Sequence, residues 1–275
     1  MIDGKHRHSL LLIVLFTAFW VVFAIMFGLN KCSQKSNDLP IIVKRGVIRV
    51  CGEEDLFNFY KNEKGFHGFQ YEMARAFSDK YNLDLIYTSE IDFKKRLKLL
   101  TSGKCDIITG PLPVLAELRS TISYTVPIME SYVVLIQRDK DSNNGKMPIR
   151  DQILLGGKMI AITENSPNIA RIHNLANEIS DSIHIRQFIG HKSKDLIEAV
   201  SKGLVDFAAS DRYVAQSYLK EYPNIDIQTN LGLSQFQAWA VRPAKHTLLN
   251  SLNQFISTYK KSPAYTRLLE KYSKN

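Results

Sequence analysis

Two stretches of this 275-residue chain repeat one another a hundred positions apart. Leu100-Thr101-Ser102-Gly103-Lys104-Cys105-Asp106-Ile107-Ile108 and Val200-Ser201-Lys202-Gly203-Leu204-Val205-Asp206-Phe207-Ala208 follow one pattern. In each, an apolar-periodic helix ends at a glycine able to take the left-handed position beyond the cap. An aspartate then precedes a short buried strand. Polar residues come next, Thr109-Gly110 with Arg119 in the first copy and Ser210-Asp211 in the second. They fall at the carboxyl ends of strands, where open α/β sheets bind their ligands. Two such units predict two α/β lobes, each presenting a strand end to a shared cleft.

The flanking sequence extends the pattern. Gly46 to Gly52 reads as a strand, Phe69, Met73, Phe77 and Tyr81 as one helical face, and Leu83 to Tyr87 as a second strand. Asp92 is placed to cap the helix that ends at Gly103. Strand–helix alternation with short connections implies parallel pairing and right-handed crossovers. Tyr132 to Ile136 is extended and is expected to close the first lobe, with the polar stretch Arg138 to Lys146 as the crossing. Beyond it, Met159 to Thr163, Ile183 to Phe188 and Val205 to Ala209 read as strands. Ser166 is placed as a helix N-cap with Pro167 at the first helical position. Arg212 to Tyr222 reads as a helix, Gln235 to Val241 as a returning strand, and two helices separated by Ser262-Pro263 end the chain. The first lobe is thus expected over 41–136 and 232–275, the second over 137–231.

Ahead of the lobes, Ser9 to Leu29 carries no charge. A run of about 20 apolar residues at ~1.5 Å rise crosses a hydrocarbon core of ~30 Å. We expect an uncleaved N-terminal transmembrane helix over 9–29, because the exit lacks a small-residue cleavage site. A cleaved signal and a lipidated Cys32 are the alternatives. Residues 1–8 then lie in the cytoplasm and 30–40 form a tether, with the folded part in the periplasm. The net charge of +9 is spread without a long basic block or a one-sided helical stripe, which argues against a nucleic-acid partner. Cys51 and Cys105 are expected at opposite ends of parallel strands, as free thiols too far apart to bridge.

Catalytic signatures are missing. The chain has no P-loop, no G-x-S-x-G elbow and no G-x-G-x-x-G, and its seven histidines are scattered, so no metal or cofactor is expected. Glu53-Glu54-Asp55 could serve acid/base work or be a solvated loop. Binding chemistry is better supplied. A ligand carboxylate calls for a guanidinium and free amides, which Arg119 and a helix start at Ser166 could offer from opposite lobes. A ligand ammonium calls for a carboxylate, and Asp211 lies just past the second strand end. Arg119 could equally form a surface ion pair, and Asp211 could cap the helix at Arg212. Glu53 and Gly110 lie at strand ends facing the same cleft, where Phe57 and Phe59 could clamp an apolar part.

Ile48-Arg49-Val50-Cys51-Gly52, GFHGFQYEMARAF, LLTSGKCDIITG, AELRSTISYTVPI and GLVDFAASD resemble the successive landmarks of the family 3 extracytoplasmic solute-binding proteins. The resemblance covers residues from about 46 to 275. VDFAASDRYVAQSYLKEYPNIDI and the QAWAV strand are most similar to the non-catalytic binding domains of the membrane-bound lytic murein transglycosylases. The resemblance implies a two-lobed, type II periplasmic-binding-protein-like fold that closes on an amino acid, peptide or muropeptide. It puts the family's carboxylate-binding arginine at Arg119, its ammonium-binding acid at Asp211 and its helix-start hydroxyl at Ser166. Gly110-Pro111-Leu112-Pro113 departs from the family, which has hydroxyl residues there. The reading is of a membrane-tethered binding protein, not an enzyme, partnered by an ABC permease or a cell-wall component. A muropeptide sensor without transport and a dehydratase-like enzyme on the same fold are the alternatives.

Overall fold

The computed structural model describes residues 38–273. The anchor expected at 9–29 lies outside them, and among the described residues no helix is long and apolar enough to cross a membrane. The chain enters through helix α1 (Leu39–Arg45), whose N-cap Asp38 accepts from the Leu39 amide at 2.9 Å. Strand β1 (Val47–Gly52) follows, then a hairpin of β2 (Tyr60–Asn62) and β3 (Gly65–His67), helix α2 (Phe69–Lys80), β4 (Asp84–Ser89), α3 (Phe93–Thr101) and β5 (Ile107–Ile108). β1 pairs in parallel with both β4 and β5. Two short strands, β6 (Ser123–Tyr124) and β14 (Ala240–Val241), complete the first sheet in the order β4-β1-β5-β14-β6.

The second sheet runs β10-β9-β11-β8-β12, formed by β8 (Val133–Arg138), β9 (Met159–Thr163), β10 (His184–Phe188), β11 (Ala208–Asp211) and β12 (Ile225–Asn230). Helices α4 (Ile169–Glu178), α5 (Ser193–Ser201) and α6 (Arg212–Gln216) belong to this lobe. β9 lies parallel to β10 and β11, whereas β8 is antiparallel to β11 and β12. A two-stranded ribbon joins the lobes, β7 (Met129–Ser131) pairing with β13 (Gln235–Gln237). Helices α7 (His246–Tyr259) and α8 (Pro263–Ser273) close the chain.

This topology moves one expected boundary. The extended run 132–136, assigned to the first lobe from its sequence, is the interior strand of the second sheet. Val133 to Gln137 are all buried, as a strand covered on both faces must be. The chain therefore crosses between Ser131 and Val133, ahead of the polar stretch that looked like the linker. The QAWAV segment is likewise divided between the ribbon and the first sheet. The helix expected over 212–222 stops at Gln216 and continues only as turns.

The repeated unit is present in both lobes. Gly103 and Gly203 end their helices at φ +77° and +73°, a region glycine enters without Cβ strain. Their amides donate to Leu100 O at 3.1 Å and Val200 O at 3.0 Å. Each turn is then held by an arginine from an antiparallel neighbour. Arg242, just past β14, donates through Nη1 to Leu100 O (2.6 Å) and Cys105 O (3.1 Å). Arg138, at the end of β8, donates through Nη1 to Val200 O (3.1 Å) and Val205 O (3.0 Å). The repeated aspartates take part too. Asp206 pairs with Arg138 at 2.7 Å, and Asp106 with Arg45 at 2.5 Å and, more loosely, Arg242 at 3.9 Å.

The thiols are closer than their strands suggested. Cys51 and Cys105 are free and buried in one cluster with Phe93, Leu100, Ile108 and Leu112. Cys105 precedes β5, so it escapes that strand's alternation and packs on the same side as Cys51. Burial first, and the hydrogen-bonded Cys51 thiol second, push the Cys105 thiol well up from its ordinary value.

Candidate functional site

The lobes touch across the cleft. Asn165 Nδ2 donates to Asp92 Oδ1 at 3.1 Å, and the Leu56 amide donates to Tyr218 Oη at 3.3 Å. Phe57 stacks on Tyr213 with ring centroids 5.0 Å apart, and Lys192 pairs with Glu54 at 3.0 Å. The aromatic contact is worth about 0.5–1.5 kcal/mol beyond the area it buries. The half-exposed Lys192–Glu54 pair contributes little.

Between these contacts lies a narrow pocket of about 10 Å³, room for about one water molecule with the lobes in this arrangement. Glu53 and Pro111 line it from the first lobe. Thr163, Ser166, Asn168, Ser193, Ser210 and Asp211 line it from the second. Each arrives where the α/β pattern delivers it, at a strand's carboxyl end or the turn that follows.

Asp211 ends β11 and caps α6, its Oδ1 accepting from the Tyr213 amide at 2.9 Å. Capping and cleft lining, which the sequence left as alternatives, are combined in one carboxylate. Burial first, with Glu53 also contributing, pushes it up to about 6. Ser166 lines the pocket but is not the helix cap. Helix α4 starts two residues later, after Asn168, because a turn over 164–168 intervenes. The Ser166 hydroxyl instead accepts from the Asn168 amide at 3.3 Å.

Glu53 lines the pocket with a partner that sequence reasoning missed. Arg96 is 2% exposed and donates through Nη2 to Glu53 Oε1 at 2.5 Å. The signal was available, since Phe93, Arg96 and Leu100 form the buried face of α3. An arginine at a core register calls for a buried partner.

Other expected contacts fall elsewhere. Arg119 is exposed at the end of the turn Ala116–Leu118 and does not line the pocket. Gly110 lies beside the pocket rim, with Arg96 Nη1 3.6 Å from where a Cβ would stand. Phe57 and Phe59 are core residues. Phe57 is sandwiched between Phe69 and Tyr213, and Phe59 stacks on Tyr87 at 4.1 Å. The apolar loop packs inward because the hairpin and α2 offer it a dry surface.

Asp55 sits beneath that loop, fully buried. Its Oδ1 accepts from the Phe57 and Asn58 amides at 2.9 and 2.8 Å. Burial first, and the charge of Glu53 second, push its carboxyl up to about 7. Among the described residues no group of three or more His, Cys, Asp or Glu side chains is arranged to hold a metal ion.

Residues 48–275 match the bacterial extracellular solute-binding proteins, family 3. The chain belongs to that family. Its two α/β sheets joined by a ribbon are this family's fold. A curated relative, membrane-bound lytic murein transglycosylase F of Pseudomonas putida (strain W619), is 24% identical over 253 residues, 89% of this chain and 50% of its own. The chain spans about half the length of the curated relatives it matches. An ancestral arginine-binding protein bound to arginine superposes with a TM-score of 0.71 at 23% identity, over 83% of this chain and 98% of its own. A Streptococcus pneumoniae ABC uptake transporter substrate-binding protein with bound histidine gives 0.75 at 18%, over 88% and 98%. At these identities the solved structures speak for the fold. The curated relatives correct one expectation. The chain was read as not an enzyme, and the proteins it matches over most of its length are named as enzymes.

Proposed function

We propose that the chain is a binding unit whose two lobes close on a small polar ligand, an amino acid, peptide or murein fragment. In this reading, capture serves a lytic murein transglycosylase activity of the kind its relatives are named for. The observation that carries it is the pocket walled by both lobes, with Glu53 on one side and Asp211 on the other. Asp211 is a buried carboxylate with no basic side chain beside it in the pocket lining, which favours a ligand that supplies positive charge. The uncharged run 9–29 supports tethering to a membrane, with the lobes on its periplasmic side and a permease or cell-wall component as partner.

The test is a thermal-shift screen of the full chain against amino acids, short peptides and murein fragments. One class should raise the melting temperature, and Asp211→Asn should reduce that rise. A flat response to all three classes, at concentrations up to millimolar, refutes the reading.

A further inference from the structure

Several of the groups that could hold a ligand carboxylate in this cleft are engaged or absent. Pro111 and Pro113 have no amide proton. The Leu112 amide between them donates to Gly110 O at 2.8 Å, and that of Val114 to Phe236 O at 3.1 Å. The Thr109 hydroxyl is bonded to Tyr87 at 3.1 Å. On the opposite wall, the Asn168 amide is bonded to Ser166 Oγ, the Ile169 amide to Ser166 O and the Arg171 amide to Asn168 O. Arg119 is exposed outside the pocket. The guanidinium that does approach Gly110, that of Arg96, is turned to Glu53. Glu53 thus takes up the guanidinium nearest the pocket.

The polar lining of the pocket is two carboxylates, Glu53 and Asp211, the hydroxyls of Thr163, Ser166, Ser193 and Ser210, and the Asn168 carboxamide. No lysine, arginine or histidine is among the lining residues. We propose that the cleft selects a small hydroxyl-bearing primary amine without a carboxylate, its ammonium held between Glu53 and Asp211. The inference rests on the reading that the cleft binds a ligand, and it names the class. Ammonium–carboxylate contacts in a closed site are charge-assisted and are stronger than the same contacts in water. A ligand carboxylate would face Glu53 and Asp211 with only uncharged hydroxyl and carboxamide donors in the lining to set against the repulsion. The raised carboxyl of Asp211 fits a pocket short of positive charge.

Two matched pairs of probes test this by titration calorimetry on the full chain. Ethanolamine and L-serine differ by one carboxylate; glucosamine and N-acetylglucosamine differ by the charge on nitrogen. Ethanolamine or glucosamine should bind at least tenfold more tightly than its counterpart. Serine binding as tightly as ethanolamine, or N-acetylglucosamine as tightly as glucosamine, overturns the inference and leaves cleft binding intact. Silence from all four probes also overturns it, and cleft binding then stands or falls on the thermal-shift screen.

Glu53→Gln gives an independent check. It should weaken amine binding at least tenfold and, by releasing Arg96, strengthen serine binding. An unchanged preference means that Glu53 does not set it. Should that variant fail to fold, Asp211→Asn keeps the amine arm readable, with the same tenfold loss expected.

Discussion

Asp55 offers a test of how burial sets the chemistry of a carboxyl group, because burial and hydrogen bonding pull its pKa in opposite directions. It accepts three hydrogen bonds, two from the loop amides and one from Asn58 Nδ2 at 2.5 Å. Burial nevertheless outweighs them and pushes the group from 3.8 up to about 7. The folded state therefore holds this proton more tightly than the unfolded chain does. Between pH ~4 and ~7 the unfolded state loses its proton first, so stability falls as pH rises. Above pH 7 both states are ionised and the loss is complete. At about 1.4 kcal/mol per pH unit, it amounts to roughly 4 kcal/mol.

Asp55→Asn removes the charge and keeps the shape. The Asn58 side chain, whose Oδ1 has no partner, can turn over and accept from the new amide. The variant should gain about 2–4 kcal/mol at pH 8 and stay within about 1 kcal/mol of the parent at pH 4. Urea denaturation followed by circular dichroism at both values reads this directly. Asp211 titrates in parent and variant alike, so the comparison isolates Asp55. Equal destabilisation at pH 4 and pH 8 would refute the reasoning, because it would mean that the loop needs the ionised carboxylate.

Arg119→Ala should change stability by less than ~0.5 kcal/mol, as expected for an exposed side chain, and leave any ligand-induced thermal shift intact; a vanished shift would return the guanidinium to the cleft. Arg138→Ala and Arg242→Ala should each lose about 2–4 kcal/mol in urea unfolding, since each strips hydrogen bonds from two carbonyls at a helix end. A loss below ~1 kcal/mol in both would show that the turns hold without them. Gly68→Ala should lose more than ~2 kcal/mol, because φ is +125° and the added methyl would stand 2.3 Å from Asn58 O. A parent-like midpoint would mean the loop 55–59 can shift to admit it.

The two-lobed architecture was legible because its signals are local. Gly103 and Gly203 mark helix ends through their own conformation, and Asp92 caps α3 through the Lys94 amide two residues on. The crossing point was not legible. Tyr132 to Ile136 reads as a strand in either lobe, and only its pairing with residues 208–211 and 225–230 decides which. The site was legible in part for the same reason. Asp211, Ser166 and Glu53 reach the pocket because strand ends lead there. Phe57 and Phe59 were misread because an aromatic loop looks alike whether it faces a ligand or the core. Arg96 was passed over because its partner lies 43 positions away in sequence. The non-enzyme reading had a different origin: it came from motifs not found, which the relatives' names outweigh.

The paired arginine clamps have a mechanical consequence. The strand leaving the first lobe ends at Arg138, fastened to the second lobe's turn, and the strand returning leads to Arg242, fastened to the first lobe's turn. Each crossing strand is therefore riveted to the lobe it enters and must travel with it. What is left to bend is the ribbon between, Met129–Ser131 against Gln235–Gln237. Two rigid levers joined by so short a flexure have one soft axis, across the ribbon, and resist twisting about its length. Opening should thus be a single swing, and spin-label distances across the cleft should change together along one coordinate.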